Sequence, residues 1–236
     1  PDAMKAVIFY NLSGNVRKLW IDYKSTSTPK TNILPDSISD VAFSPDSKSM
    51  AFINDLGATR NIFTATADFK NQKKLADNNV PDLELSWPAS GVLAIKTKSS
   101  YATTGYLYSI DIKSGLLSKI AEGLGLDAVW NNDGTGVLIS TANSGGQIQP
   151  LKYFDIKIQN TKEFNIRTIA EKCAFFRSIK NSAYCAVPKY ISTARYPDAW
   201  WQGTVSFEDD LIFINTADGN FYTFTTTPAD MINPKP

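Results

Sequence analysis

Cys173 and Cys185 are the only two cysteines in a chain of 236 residues, and they stand symmetrically about Ile179. If the residues between them form a hairpin, the two thiols face each other with Cβ atoms roughly 4.5–5.5 Å apart, close enough to be drawn into a disulfide. Two small buried thiols are the rival reading. A metal site is remote, because two ligands with no histidine and no third cysteine do not complete a tetrahedral shell. A bridge would mark a compartment outside the reducing cytosol. Histidine is absent from the whole chain, which removes Ser-His-Asp and Cys-His triads, His-ligated zinc or haem, and imidazole as a general base near neutral pH.

The carboxylates offer little more. Asn131-Asn132-Asp133-Gly134 begins like a calcium loop but lacks the alternating ligands and the later Glu, so it reads as a turn. Glu208-Asp209-Asp210 precedes an apolar strand and reads as a solvated loop, and Asp82 with Glu84 forms no recognisable acid–base pair. Ser27-Thr28-Pro29-Lys30 matches Ser-x-x-Lys, yet it lies in a polar loop without the helix that orients a Lys base. The expectation is a chain with no catalytic residue, no metal ligand set and no cofactor of its own.

Recognition is better served. Residues 188–203 hold Tyr190, Tyr196, Trp200 and Trp201 together with Arg195 and Asp198, a mixture enriched at binding surfaces because rigid amphipathic rings give contact area at low entropic cost. The same rings would also serve to fill a gap in the core, and the sequence leaves both readings open. As a binding loop, this stretch is expected to protrude, with the rings as anchors and Arg195 as a polar selector.

The elements that position these residues come from internal repetition. Val41-Ala42-Phe43-Ser44-Pro45-Asp46 leads through a short polar stretch into Met50-Ala51-Phe52-Ile53, two apolar runs about a turn. The unit returns at Leu85-Ser86-Trp87-Pro88, at Ala128-Val129-Trp130 and at Ala174-Phe175-Phe176, with Phe43, Trp87, Trp130 and Phe176 spaced by 44, 43 and 46 residues. A first copy lacks its opening strand, since Pro1-Asp2 aligns on Pro45-Asp46. Each copy adds an alternating third strand, such as Leu107-Tyr108-Ser109-Ile110-Asp111, and a more polar fourth. No stretch keeps helical periodicity for three turns, so almost no helix is expected.

Four strands at that period are one propeller blade. The fold expected is therefore all-β, a β-propeller of about five four-stranded blades in a single domain, either a ring or an excerpt of a larger one. The repeats run at about 1–38, 39–80, 81–124, 125–171 and 172–228, and Met231-Ile232 either closes the first blade or begins another. In the last repeat the gap between second and third strands is about fifteen residues longer than in the others, and that gap is the aromatic stretch.

Phe43-Ser44-Pro45-Asp46-Ser47-Lys48-Ser49-Met50-Ala51-Phe52 resembles the TolB-type, WD-like β-propeller repeats of bacterial extracytoplasmic proteins, with Ser47 where those repeats prefer Gly. The resemblance implies a propeller that serves as a binding platform, and such platforms meet many kinds of partner. With 24 basic and 23 acidic side chains, the formal charge of +1 supplies no field to attract nucleic acid or an anionic membrane. The partner expected is another protein or a cell-surface polymer. Membrane contact is expected only through an anchor upstream of residue 1, since Pro1 falls inside the repeat pattern. The alternatives are the propeller of a hydrolase, lyase or peptidase whose catalytic residues lie mostly outside this chain, and a structural unit of a cell-surface assembly.

Overall fold

Short runs of β-branched and aromatic residues, punctuated by Ser, Asn, Asp and Gly, form eighteen strands in a computed structural model that describes residues 4–24, 28–226 and 229–231. Pro1, Asp2, Ser27 and Ile232, used in the sequence reading, lie outside the described residues.

The first group is β1 (Lys5–Leu12), β2 (Asn15–Asp22) and β3 (Lys30–Ile33), a three-stranded antiparallel sheet. The second is β4 (Ile38–Phe43), β5 (Ser49–Asp55), β6 (Arg60–Thr66) and β7 (Lys73–Asn78), a four-stranded meander. Next come β8 (Leu83–Ala89), β9 (Val92–Thr97), β10 (Thr104–Asp111) and β11 (Leu117–Trp130), followed by β12 (Gly136–Ala142), β13 (Lys152–Asp155) and β14 (Asn160–Glu163). These seven share one sheet because β11 is a single 14-residue strand. Its register with β12 shifts between Leu124 and Asp127, so one strand does the work of two repeats. The last group is β15 (Cys173–Phe175), β16 (Ser182–Pro188), β17 (Asp209–Asn215) and β18 (Phe221–Thr226). Among the described residues, helix is confined to a 3-10 turn at Ala170–Lys172 and to α1 (Asp198–Trp201).

Contacts divide the chain into two units, Pro1–Thr97 with Tyr108–Ser118, and Lys98–Leu107 with Lys119–Pro236. In the first, β5 shows why the central strands are uninterrupted apolar runs. Successive side chains of a strand point to opposite faces. Met50 and Phe52 enter one cluster with Trp20, Leu34 and Ile38, while Ala51 and Ile53 enter another with Ile62, Leu93 and Ile95. Burial on both faces removes the polar alternation that a half-exposed strand would show. In the second unit β12 repeats the device. Val137 and Ile139 pack with Leu107 and Leu126, and Leu138 packs with Leu151, Tyr153 and Cys185.

The turns after β4, β11 and β15 each place a residue at positive φ. These are Ser47 at 58°, Gly134 at 68° and Asn181 at 56°. Ser44 secures the first of these turns, its Oγ accepting from the Ser49 amide at 2.9 Å and donating to Asp46 at 2.7 Å. Asp133, in the segment resembling a calcium loop, accepts from the Thr135 amide at 3.1 Å and from the Thr135 hydroxyl at 2.5 Å, as a turn residue does.

Candidate functional site

In an antiparallel meander the connections after the second and fourth strands emerge at one end, and those after the first and third at the other. Within the second unit the first set comprises residues 98–103, 143–151, 164–172 and 189–208. They bind one another. Asp198, at the start of α1, accepts from the Ser100 hydroxyl at 3.1 Å and from the Tyr101 amide at 2.8 Å. The Tyr196 amide donates to the Gly146 carbonyl at 2.8 Å. Gly146 has φ +82°, and a Cβ there would lie 2.7 Å from Cα of Arg195. Glycine is required both by that conformation and by the closeness of the Arg195 stem. Arg195 then lays its guanidinium over the Tyr101 ring, 5.0 Å from its centre, and donates from Nη1 to the Tyr101 hydroxyl at 2.8 Å.

Beneath this surface Tyr196, Trp200 and Phe207 are buried with Ile148 and Ile169. The Tyr196 and Phe207 rings stack at 5.6 Å, and Trp200 and Phe207 at 6.5 Å. Lys172 is fully buried beside them, its ammonium 5.0 Å from the ring centres of both Trp200 and Phe207. It donates to Asp209 at 2.8 Å and also to Asp230. Asp230 accepts in addition from the Trp200 indole at 2.9 Å and the Phe207 amide at 3.1 Å, and Asp209 from the Met231 amide at 2.8 Å. Burial pushes the Asp230 carboxyl upward, but the bonds from Lys172, Trp200 and Phe207 outweigh it and hold the group below the ordinary carboxylate value.

The six residues singled out in the sequence therefore separate. Tyr196 and Trp200 are core, and Asp198 is a brace between two loops. Tyr190 is 85% exposed, Trp201 is 37% exposed with its indole donating to Glu171 at 2.8 Å, and Arg195 is exposed. The stretch folds back on the fold's end at its centre instead of protruding throughout. Asp209 departs from its expectation too. Read as part of a solvated loop, it is fully buried because Lys172 and the Met231 amide supply partners, while its neighbour Glu208 stays exposed. Cys173 and Cys185 are directly opposed in the β15–β16 ladder and bridged, S–S 2.03 Å.

Lys172, Phe207, Asp230 and Tyr101 were not legible as members of this cluster. Tyr101 alone carries a signal, as an aromatic in the Lys98-Ser99-Ser100-Tyr101 connection between β9 and β10. At the opposite end of the unit a cleft of about 240 Å³ is lined by Asn131, Asn132, Asp133 and residues 175–182. Asn132 crosses it to donate to the Phe176 carbonyl at 2.9 Å. Among the described residues no three His, Cys, Asp or Glu side chains converge as metal ligands do.

No protein-family model matches the chain, and no curated protein matches it. Solved structures do. TolB from Acinetobacter baumannii superposes with a TM-score of 0.61 at 18% identity, over 94% of this chain and 51% of that one. An oligogalacturonate lyase in complex with manganese gives 0.60 at 10% identity, over 93% of this chain and 62% of the lyase chain. The β-propeller domain of the Trilobed protease from Pyrococcus furiosus, described as having an open velcro topology, gives 0.57 at 13% identity, over 92% and 66%. The chain spans about half the length of the TolB structure it matches. At these identities the likeness is one of fold, and the fold is a β-propeller of four-stranded antiparallel blades.

Proposed function

We propose that this chain is a non-catalytic, extracytoplasmic β-propeller that binds another protein or a cell-surface polymer through the end carrying residues 189–208. One observation carries the reading. Trp201, Arg195 and Tyr190 are presented to solvent by a segment whose other large side chains, Tyr196, Trp200 and Phe207, are locked in a buried cluster. Exposed rings on a rigid base lose little entropy on binding, which is what a recognition surface requires. The carboxylates best placed to act as acids or bases there, Asp198, Asp209, Asp230 and Glu171, already accept hydrogen bonds from within the fold. The Cys173–Cys185 bridge supports an oxidising compartment.

The second reading, a hydrolase or lyase propeller, is favoured by the lyase and protease among the structural neighbours. The purified chain, immobilised beside a Tyr190→Ala, Trp201→Ala variant of equal melting temperature, separates the two. A partner retained by the first and lost by the second supports the platform. The same partners on both, or turnover of peptide, ester or uronate substrates by the chain itself, would overturn it.

A further inference from the structure

Charge at the binding end is distributed unevenly. Asp198, Asp230 and Glu171 are engaged with donors of the fold, and among the described residues of these connections Glu208 alone keeps an exposed carboxylate outside such bonds. The cations are treated differently. Lys98, Arg167 and Arg195 are exposed, and among the described residues none has a carboxylate within ion-pair distance. Arg195 is also held in place. Its stem lies against the backbone of Gly146, where even a methyl group would collide, and its head rests on the Tyr101 ring.

We infer that Arg195 is the receptor for a carboxylate of an acidic peptide segment on the partner, an inference that rests on the platform reading and names its ligand chemistry. A guanidinium has five N–H donors in a fixed plane. The Tyr101 hydroxyl accepts from one nitrogen, Nη1, so N–H groups remain to meet both oxygens of an incoming carboxylate, the geometry Arg favours. Because the side chain is already oriented, binding freezes little further motion.

A uronate polymer carries the same anionic group, but a pyranose also needs a free aromatic face to lie on. Beside Arg195 the Tyr101 ring carries the guanidinium, and Trp201 is only about one-third open with its indole bonded to Glu171. Tyr190 is 85% exposed, but among the described residues no hydrogen bond or ring contact holds it beside Arg195 as a platform for a sugar, so the charge fixed on Tyr101 is better suited to a peptide carboxylate.

The test uses fluorescein-labelled hexaglutamate, with hexalysine as control and hexagalacturonate as the sugar of equal charge, titrated by anisotropy against the whole chain. Hexaglutamate is expected to bind, about tenfold more weakly to Arg195→Ala, and by an intermediate amount to Arg195→Lys, which keeps the charge and loses the fork. Arg17→Ala removes equal charge from an exposed arginine paired with Asp36, and is expected to leave binding unchanged. If Arg195→Ala fails to fold, Tyr101→Ala removes the shelf instead and is expected to weaken binding several-fold. Equal binding by Arg195→Ala, or none by the unaltered chain, overturns the inference. Tighter, Arg195-dependent binding of hexagalacturonate overturns it in favour of a polymer ligand. The peptide assay needs no natural partner, so its failure leaves the Tyr190 and Trp201 capture experiment to stand or fall separately.

Discussion

Lys172 and Asp209 meet at 2.8 Å with both side chains fully buried, across 37 residues of sequence. Lys172 immediately precedes β15 and Asp209 begins β17, so the contact ties the end of the 164–172 connection to the end of the 189–208 connection. Asp230 adds a second carboxylate to the same ammonium, and thereby holds residues 229–231 against the Trp200 and Phe207 rings.

Removing the cation strands the two carboxylates. Lys172→Met is expected to lower unfolding free energy by about 3–5 kcal/mol, the usual cost of leaving a buried charge uncompensated. Lys172→Met combined with Asp209→Asn and Asp230→Asn is expected to recover part of that loss. Urea unfolding at neutral pH compares them. A Lys172→Met variant of unaltered stability would show that the cluster holds nothing together.

Acid should dissolve the same cluster from the Asp230 side. The folded-state pKa of this group lies below its ordinary value of 3.8. Its contribution to stability is therefore complete above that value and is lost as pH falls through the lower, folded one. An Asp230→Asn variant is expected to be less stable than the unaltered chain at pH 7, with the gap closing only below about pH 4. A gap that closes between pH 5 and 7 would contradict the assignment.

The bridge closes a loop at a sequence separation of 12. Replacing Cys173 and Cys185 together by Ala is expected to cost about 3 kcal/mol through the freedom returned to the unfolded chain. Intact mass gains about two daltons on reduction, because breaking one bridge adds two hydrogens. Two freely alkylated thiols in the oxidised protein would remove the argument for an oxidising compartment.

Trp200 and Trp201 are adjacent yet opposite in role. Trp200→Ala is expected to cost about 3–5 kcal/mol, as truncation of a buried ring does. Trp201→Ala is expected to change stability by less than about 1 kcal/mol while weakening partner binding. Equal thermal losses from the two single variants would place Trp201 in the core as well.

The contrast shows where sequence reading ends. The period from Phe43 to Phe176 and the two-sided apolar runs of β5 and β12 are local, so the blades were legible. The turn residues Ser47, Gly134 and Asn181 are local as well, set by a backbone need at one position. Neighbouring residues in a helical turn point about 100° apart, so Trp200-Trp201 gave no sign of which ring faces inward until the path of 198–201 was known. Lys172 was hidden for a different reason. Lysine is almost never fully buried unless paired, and its partners stand 37 and 58 residues away. Asp209 was masked by Glu208 and Asp210, a trio with the composition of a solvated loop.

Amide hydrogen exchange of the whole chain, alone and with the partner it retains, tests the binding role most directly. Slowed exchange is expected to be confined to residues 98–103, 143–149 and 189–203, the connections that carry Tyr101, Gly146, Arg195 and Trp201. Protection centred instead on residues 175–182, at the opposite end of the unit, or no protection of the 189–203 segment, would contradict the account.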